Sequence, residues 1–222
     1  MTIKICVSII PKTVPEALRL VEKAELTHAD FIEIRLDRLK DCLENRQGLA
    51  DLAAHGKTPK IATVKASRTE TEYRQMLLNA AKSGFEYADA ELSTSHLEDL
   101  TRELKALGAK PIVSFHKFNG SLGISELNSI FEREIASGAE VCKIVTTAKR
   151  LEDNLTTLNF TSTASSKTKL VCFCMGELGK ISRLLSPLFG GFFTFASLER
   201  GNETASGQMT IQEMKAAYEL LG

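Results

Sequence analysis

Neither sign of charge is in excess in this chain. Lysine plus arginine and aspartate plus glutamate stand at 28 each in 222 residues. That balance argues against the broad basic surface of a nucleic-acid or anionic-membrane binder, so any anion must be held by local charge. The five cysteines (Cys6, Cys42, Cys142, Cys172, Cys174) form no C-x-x-C pair and no zinc-ligand spacing. Four of them lie in apolar runs, where cysteine behaves as a small hydrophobe. That usage suggests a reducing, cytoplasmic setting. No apolar stretch approaches the length of a membrane span, and the run 3–10 is too short and too early for a cleaved signal peptide. Low-complexity segments are absent. So are a G-x-G-x-x-G after the first strand and a P-loop, which weakens the case for a nucleotide-binding open sheet.

What is present is an ordinary globular composition, 43% hydrophobic and 25% charged, and a regular alternation. Strand-like runs at 3–10, 30–36, 60–65, 87–92, 111–115, 140–147, 169–175 and 192–196 alternate with helix-like ones. The helical periods cover 14–26, 44–54, 70–82, 95–107, 124–136, 151–161, 180–188 and 211–221. Pro15 opens the first helix, Ser95 and Glu98 have capping-box spacing, and Gly56, Gly84, Gly108 and Gly138 follow helix ends. Eight β–α units imply parallel strands, right-handed crossovers and a single-domain (β/α)8 barrel over 1–222. An open doubly wound sheet is the alternative.

Within the run 140–147, Lys143 shares a strand face with Val141 and Val145, between apolar neighbours. Burial should lower its proton affinity and leave a nucleophilic amine suited to a Schiff base. The plainer reading is a lysine that reaches water or pairs with a carboxylate. In a barrel, chemistry gathers at the C-terminal strand ends, and those ends are charged. The second strand closes with Glu33 and Arg35, the third with Lys65, the fourth with Glu91 and the fifth with His116. Each has an ordinary explanation: a mutually paired Glu-x-Arg, a solvated Lys65, a Glu91 that compensates Lys143 or Arg35, a structural His116. Their shared location at one end argues for a pocket. His28, His55 and His96 read as surface residues.

These residues resemble the type I 3-dehydroquinate dehydratase family of the shikimate pathway. The landmarks are Glu33-Ile-Arg35-Leu-Asp37, Ser114-Phe-His116-Lys-Phe118, Lys143 at 27 residues beyond His116, Met175-Gly-x-x-Gly179-x-x-Ser182-Arg183 and Gly207-Gln208. Each is short, but together and in order they span almost the whole chain. The resemblance implies dehydration of 3-dehydroquinate with Lys143 as Schiff-base lysine and His116 as general acid–base. It further implies Arg183 on the substrate carboxylate, Glu33 and Arg35 on ring hydroxyls, and Thr204 and Gln208 on a loop that excludes water. Arg35 is expected to help keep Lys143 unprotonated. No metal or cofactor is implied, and a homodimer is expected, with Leu185, Leu188 and Phe189 either an apolar patch or core.

The sequence departs from the family at the third strand. Lys65 stands where arginine is common, and a lysine offers no planar fork. A family carboxylate four residues later aligns with Thr69, leaving Glu70 or Arg68 as substitutes. Two other readings remain. A sugar-phosphate aldolase would want a phosphate cradle near the last two strands, but Gly190-Gly191 precedes the eighth strand, at the wrong end. A non-catalytic barrel would bind a carboxylate ligand without turnover.

Overall fold

Period-two and period-3.6 stretches alternate along the chain, and each forms the element its period favours. The structure, a computed structural model, describes residues 3–39, 45–65 and 69–221. Its strands are β1 (Ile5–Ile9), β2 (Phe31–Arg35), β3 (Lys60–Thr63), β4 (Tyr87–Glu91), β5 (Lys110–His116), β6 (Val141–Thr147), β7 (Lys169–Met175) and β8 (Thr194–Ser197). Between and after them run α1 (Val14–Leu26), α2 (Arg46–Ala54), α3 (Glu70–Lys82), α4 (Leu97–Ala106), α5 (Ile124–Ala136), α6 (Glu152–Ala164), α7 (Lys180–Leu185) and α8 (Ile211–Leu221).

The strands form one sheet in the order β7-β6-β5-β4-β3-β2-β1-β8, and the paired neighbours are parallel, as in β1 with β2 and β1 with β8. At the seam between β7 and β8, the Phe192 N–H donates to the Leu170 carbonyl at 2.7 Å. The result is the expected (β/α)8 barrel rather than an open sheet.

Local chemistry sets most helix ends. Thr13 caps α1, its hydroxyl accepting the Glu16 N–H, with Pro15 in the first turn. Thr69 and Glu72 make a reciprocal capping box on α3. One expectation fails. Ser95 does not cap α4: His96 takes the N-cap position in the left-handed region at φ 50°, and no side chain caps the helix. The helical stretch expected over 180–188 is present; its α-helix stops at Leu185 and tightens into a 3-10 turn, Ser186–Phe189. Pro187 explains the stop, since it has no N–H to carry the α-helical ladder onward. The start expected at Glu44 for the second helix, and Arg68, lie outside the described residues.

Strand alternation divides the core in two. Ile32, Ile34, Val113 and Ile144 face the helices; Phe31, Tyr87, Ile112, Val171 and Phe193 fill the barrel interior. Phe31 packs 4.8 Å from Phe193 and edge-on to Tyr87 at 5.6 Å. Each such buried ring contributes roughly 1.5–3 kcal/mol, and together they close the N-terminal half of the barrel. Above that floor the inward residues turn polar.

Candidate active site

The polar region is built in two tiers by strands that run up past the aromatic floor. The lower tier takes one inward residue from each of six successive strands: Ser8, Glu33, Thr63, Asp89, Ser114 and Lys143. All six are buried, with Asp89 at 1% exposure and Lys143 at 5%. They are also mutually satisfied, as buried polar groups must be. Ser8 donates to Glu33 Oε2 at 2.6 Å and Thr63 to Glu33 Oε1 at 2.9 Å. Ser114 donates to Asp89 Oδ1 at 2.6 Å. Lys143 Nζ meets Asp89 Oδ2 at 2.6 Å and Glu33 Oε1 at 3.5 Å, and lies 4.3 Å above the Phe195 ring.

These contacts overturn the expectation for the lysine. Burial alone would lower its pKa, but the Asp89 and Glu33 charges outweigh burial and raise it. Lys143 is therefore an ammonium at neutral pH. Asp89 shows the converse: burial would raise its pKa, and Lys143, then Lys65, hold it down at about 2. Arg35 is not set against the lysine as expected. Its guanidinium makes a bidentate pair with Asp37, both contacts 2.8 Å.

The upper tier carries Arg35, Lys65, Glu91 and His116. Lys65 is half-buried rather than free in solvent, and Glu91 does not turn to Lys143 or Arg35. The two pair with each other at 3.1 Å, as the register Thr63↔Asp89 on adjacent β3 and β4 dictates two residues further up. His116 has its ring near-parallel to Phe118, centroids 6.1 Å apart. Burial, then the Lys65 and Lys143 cations, push its pKa down to about 3, so the imidazole is neutral at pH 7. Its Nδ1 is buried with no hydrogen-bond partner among the described residues. Thr69 and Glu70 do not supply one. Both are exposed at the start of α3, with Thr69 engaged in its capping box.

Arg183 enters from α7. Ser182 anchors this turn by accepting the Cys174 N–H at 3.0 Å and donating its own N–H to Asn154 at 3.1 Å. The Gly-x-x-Gly motif has a steric reason at Gly179, where an added Cβ would stand 2.5 Å from the Cys174 carbonyl oxygen. Arg183 is 1% exposed; its guanidinium lies 4.4 Å over the Phe173 ring and leaves Nε and Nη2 without hydrogen-bond partners among the described residues. Burial lowers its pKa to about 10; it stays cationic. A buried, unpaired cation is costly unless an anion completes it.

The segment after β8 forms the remaining wall. Gly207 has φ +72°, and a Cβ there would fall 2.1 Å from the Gly176 carbonyl oxygen, while the Gly176 N–H donates to Ser206 at 3.0 Å. The segment is thus seated on the end of β7. Gln208 Oε1 accepts the Thr204 N–H at 2.7 Å and its hydroxyl at 3.2 Å.

Eight of the residues singled out from the sequence (Lys143, His116, Glu33, Arg35, Lys65, Arg183, Thr204, Gln208) line one cavity of about 350 Å³, and Glu91 does not. The sequence reading missed Asp89, although the alternation Tyr87-Ala-Asp89-Ala-Glu91 puts it on the same face as Glu91. It also missed Ser8 and Thr63 and gave Ser114, part of a landmark motif, no role; the use of these short hydroxyls depends on what stands across the barrel. Cys6, Cys142, Cys172 and Cys174 are buried and unpaired. No helix among the described residues is long and apolar enough to cross a membrane.

A parallel eight-stranded barrel with amine, imidazole and guanidinium groups converging at its C-terminal mouth defines a (β/α)8-barrel enzyme. Residues 5–222 match the sequence profile of type I 3-dehydroquinase, and the chain belongs to that family. It is 37% identical over 197 residues to a 3-dehydroquinate dehydratase of Dehalococcoides mccartyi, covering 86% of this chain and 85% of that one. A 3-dehydroquinate dehydratase of Methanococcus maripaludis is 31% identical over 226 residues, covering 98% and 99%. The crystal structure of 3-dehydroquinate dehydratase from Geobacillus kaustophilus superposes with a TM-score of 0.89 at 25% identity, covering 100% of this chain and 91% of that one.

Proposed function

We propose that the protein dehydrates 3-dehydroquinate to 3-dehydroshikimate, in the shikimate pathway, through an imine on Lys143 with His116 as general acid–base. One observation carries the reading beyond family membership. The same pocket holds a primary amine and a buried guanidinium with two unpartnered nitrogens. A ligand with a ketone and a carboxylate completes both.

Arg183 takes the carboxylate, its planar fork fixing the ring. The amine of Lys143, once it has lost its proton, adds to the ketone, and loss of water leaves an iminium that acts as electron sink. The proton beside the former ketone then becomes removable. His116 is neutral in the resting enzyme, so it accepts that proton and delivers it to the departing hydroxyl. Glu33 holds a ring hydroxyl from the lower tier, and Arg35 and Lys65 do so from the upper one. Gln208 offers its free amide hydrogens from the wall, its carbonyl being occupied by Thr204. That wall excludes water from the imine.

The aldolase reading finds no support in the position of Gly190 and Gly191, which precede β8 at the opposite end of the barrel. The proposal includes a cytoplasmic homodimer. Leu188 and Phe189 are exposed at 39% and 43% and supply apolar surface for it; sedimentation analysis tests the assembly. The chemistry is tested by borohydride reduction with 3-dehydroquinate and peptide mass mapping. An adduct on Lys143 is expected. No adduct with any ketone would make the lysine structural and leave a carboxylate-binding barrel without turnover.

A further inference from the structure

The two carboxylates that hold Lys143 are not equivalent. Glu33 lines the cavity and Asp89 does not. Glu33 stands 3.5 Å from Nζ, and each of its oxygens already accepts a hydroxyl. Asp89 accepts one hydroxyl, from Ser114 on Oδ1. Its other oxygen lies 2.6 Å from Nζ. It is enclosed beneath the lysine, out of reach of a substrate in the cavity.

Resting on the imine reading, we infer that Asp89 is a second catalytic residue: it takes the ammonium proton of Lys143 and then stands as counter-ion to the iminium. In the first step an Nζ–H bond breaks and an Oδ2–H bond forms, turning ammonium and carboxylate into amine and carboxylic acid. The Nζ lone pair then bonds the carbonyl carbon, and the carbonyl π pair moves to oxygen. That oxygen gains a proton from the nitrogen through His116, giving a neutral carbinolamine. Departure of the hydroxyl as water takes up one more proton, which Asp89 returns by way of the nitrogen and His116. The nitrogen lone pair forms the C=N bond as the C–O bond breaks. Ammonium, carboxylate and ketone become iminium, carboxylate and water, with no oxidant or further reactant.

The floor of the barrel carries the same charge before and after. In a low-dielectric interior this matters, because a new unpaired iminium would be strongly disfavoured there. The ion pair that keeps Lys143 protonated at rest is thus also what makes its covalent state tolerable. Glu33 remains free to serve the substrate.

The test is the time course of borohydride-trapped adduct in wild type and Asp89→Asn. Asp89→Asn is expected to form the Lys143 adduct at least about 10²-fold more slowly at pH 7. Its rate should climb with pH as hydroxide replaces the lost base. Binding of a substrate analogue should stay near the wild-type value, because Asp89 does not face the cavity. Adduct formation as fast in Asp89→Asn as in wild type, or faster, overturns the inference. Absence of adduct in wild type overturns the imine reading instead. Should Asp89→Asn not fold, Asp89→Glu and Asp89→Gln repeat the comparison at equal side-chain size; the inference expects the glutamate variant to be faster, and equal rates overturn it.

Discussion

The Arg183 guanidinium lies 4.4 Å over the face of Phe173, with two nitrogens unpartnered among the described residues and 1% of the residue exposed. The ring offsets part of the cost of burying this charge; a substrate carboxylate offsets the rest. Arg183→Met should therefore weaken substrate binding by roughly 10–100-fold, the value of one or two charge-assisted hydrogen bonds. The same variant should melt no lower than wild type without ligand, since an apolar side chain suits the site better than an unpaired cation. An unchanged KM would assign the carboxylate to Lys65.

Lys143 joins stability to activity. Lys143→Ala should abolish turnover, and it leaves Asp89 and Glu33 buried without their cation. Removing one member of a buried pair costs roughly 3–5 kcal/mol. Urea unfolding should show a loss of that order, much of it recovered in Lys143→Ala/Asp89→Asn. Near-normal activity in Lys143→Ala would falsify the imine mechanism.

The His116 pKa sets a pH dependence. The folded value of about 3 lies below the unfolded 6.5. Between these the unfolded chain binds a proton that the native protein does not. Stability therefore falls as pH drops from about 6.5, by at most about 1.4 kcal/mol per pH unit. His116→Gln should lose less than wild type between pH 6.5 and 4. Asp89, with its value of about 2, keeps its contribution until below that window. In turnover the acid limb of kcat/KM should lie below pH 5, not near 6.5. Lys65→Ala removes a neighbouring cation and should move it upward.

The wall after β8 can be probed through glycine. Gly207 combines φ +72° with a 2.1 Å approach to the Gly176 carbonyl oxygen. Gly201 has φ +85° and open space around it. Gly207→Ala should lift the wall and raise KM, whereas Gly201→Ala should cost only about 1 kcal/mol of left-handed strain and leave KM alone. Equal KM values in the two variants would mean that the wall does not touch substrate.

Much of this was legible along the chain. Eight apolar runs separated by helical periods suffice for a barrel, because parallel strands need crossovers and eight of them close most simply into a ring. The charged strand ends marked the pocket, because alternation fixes which residues share a face. Less legible were the features set across space. Ser95 had the right spacing for a cap, but His96 turns into the left-handed region and takes the position. Thr69 aligned with a substrate-site carboxylate, but caps a helix instead.

Lysine in an apolar strand was determined by the sequence, and so was its place in the interior of a barrel. Its protonation was not. Burial alone predicts an amine, and the structure holds an ammonium, because Asp89 and Glu33 stand against it from 54 and 110 residues away in the chain. Coulomb energy depends on separation in space, and only the closing of the barrel brings those charges to the lysine.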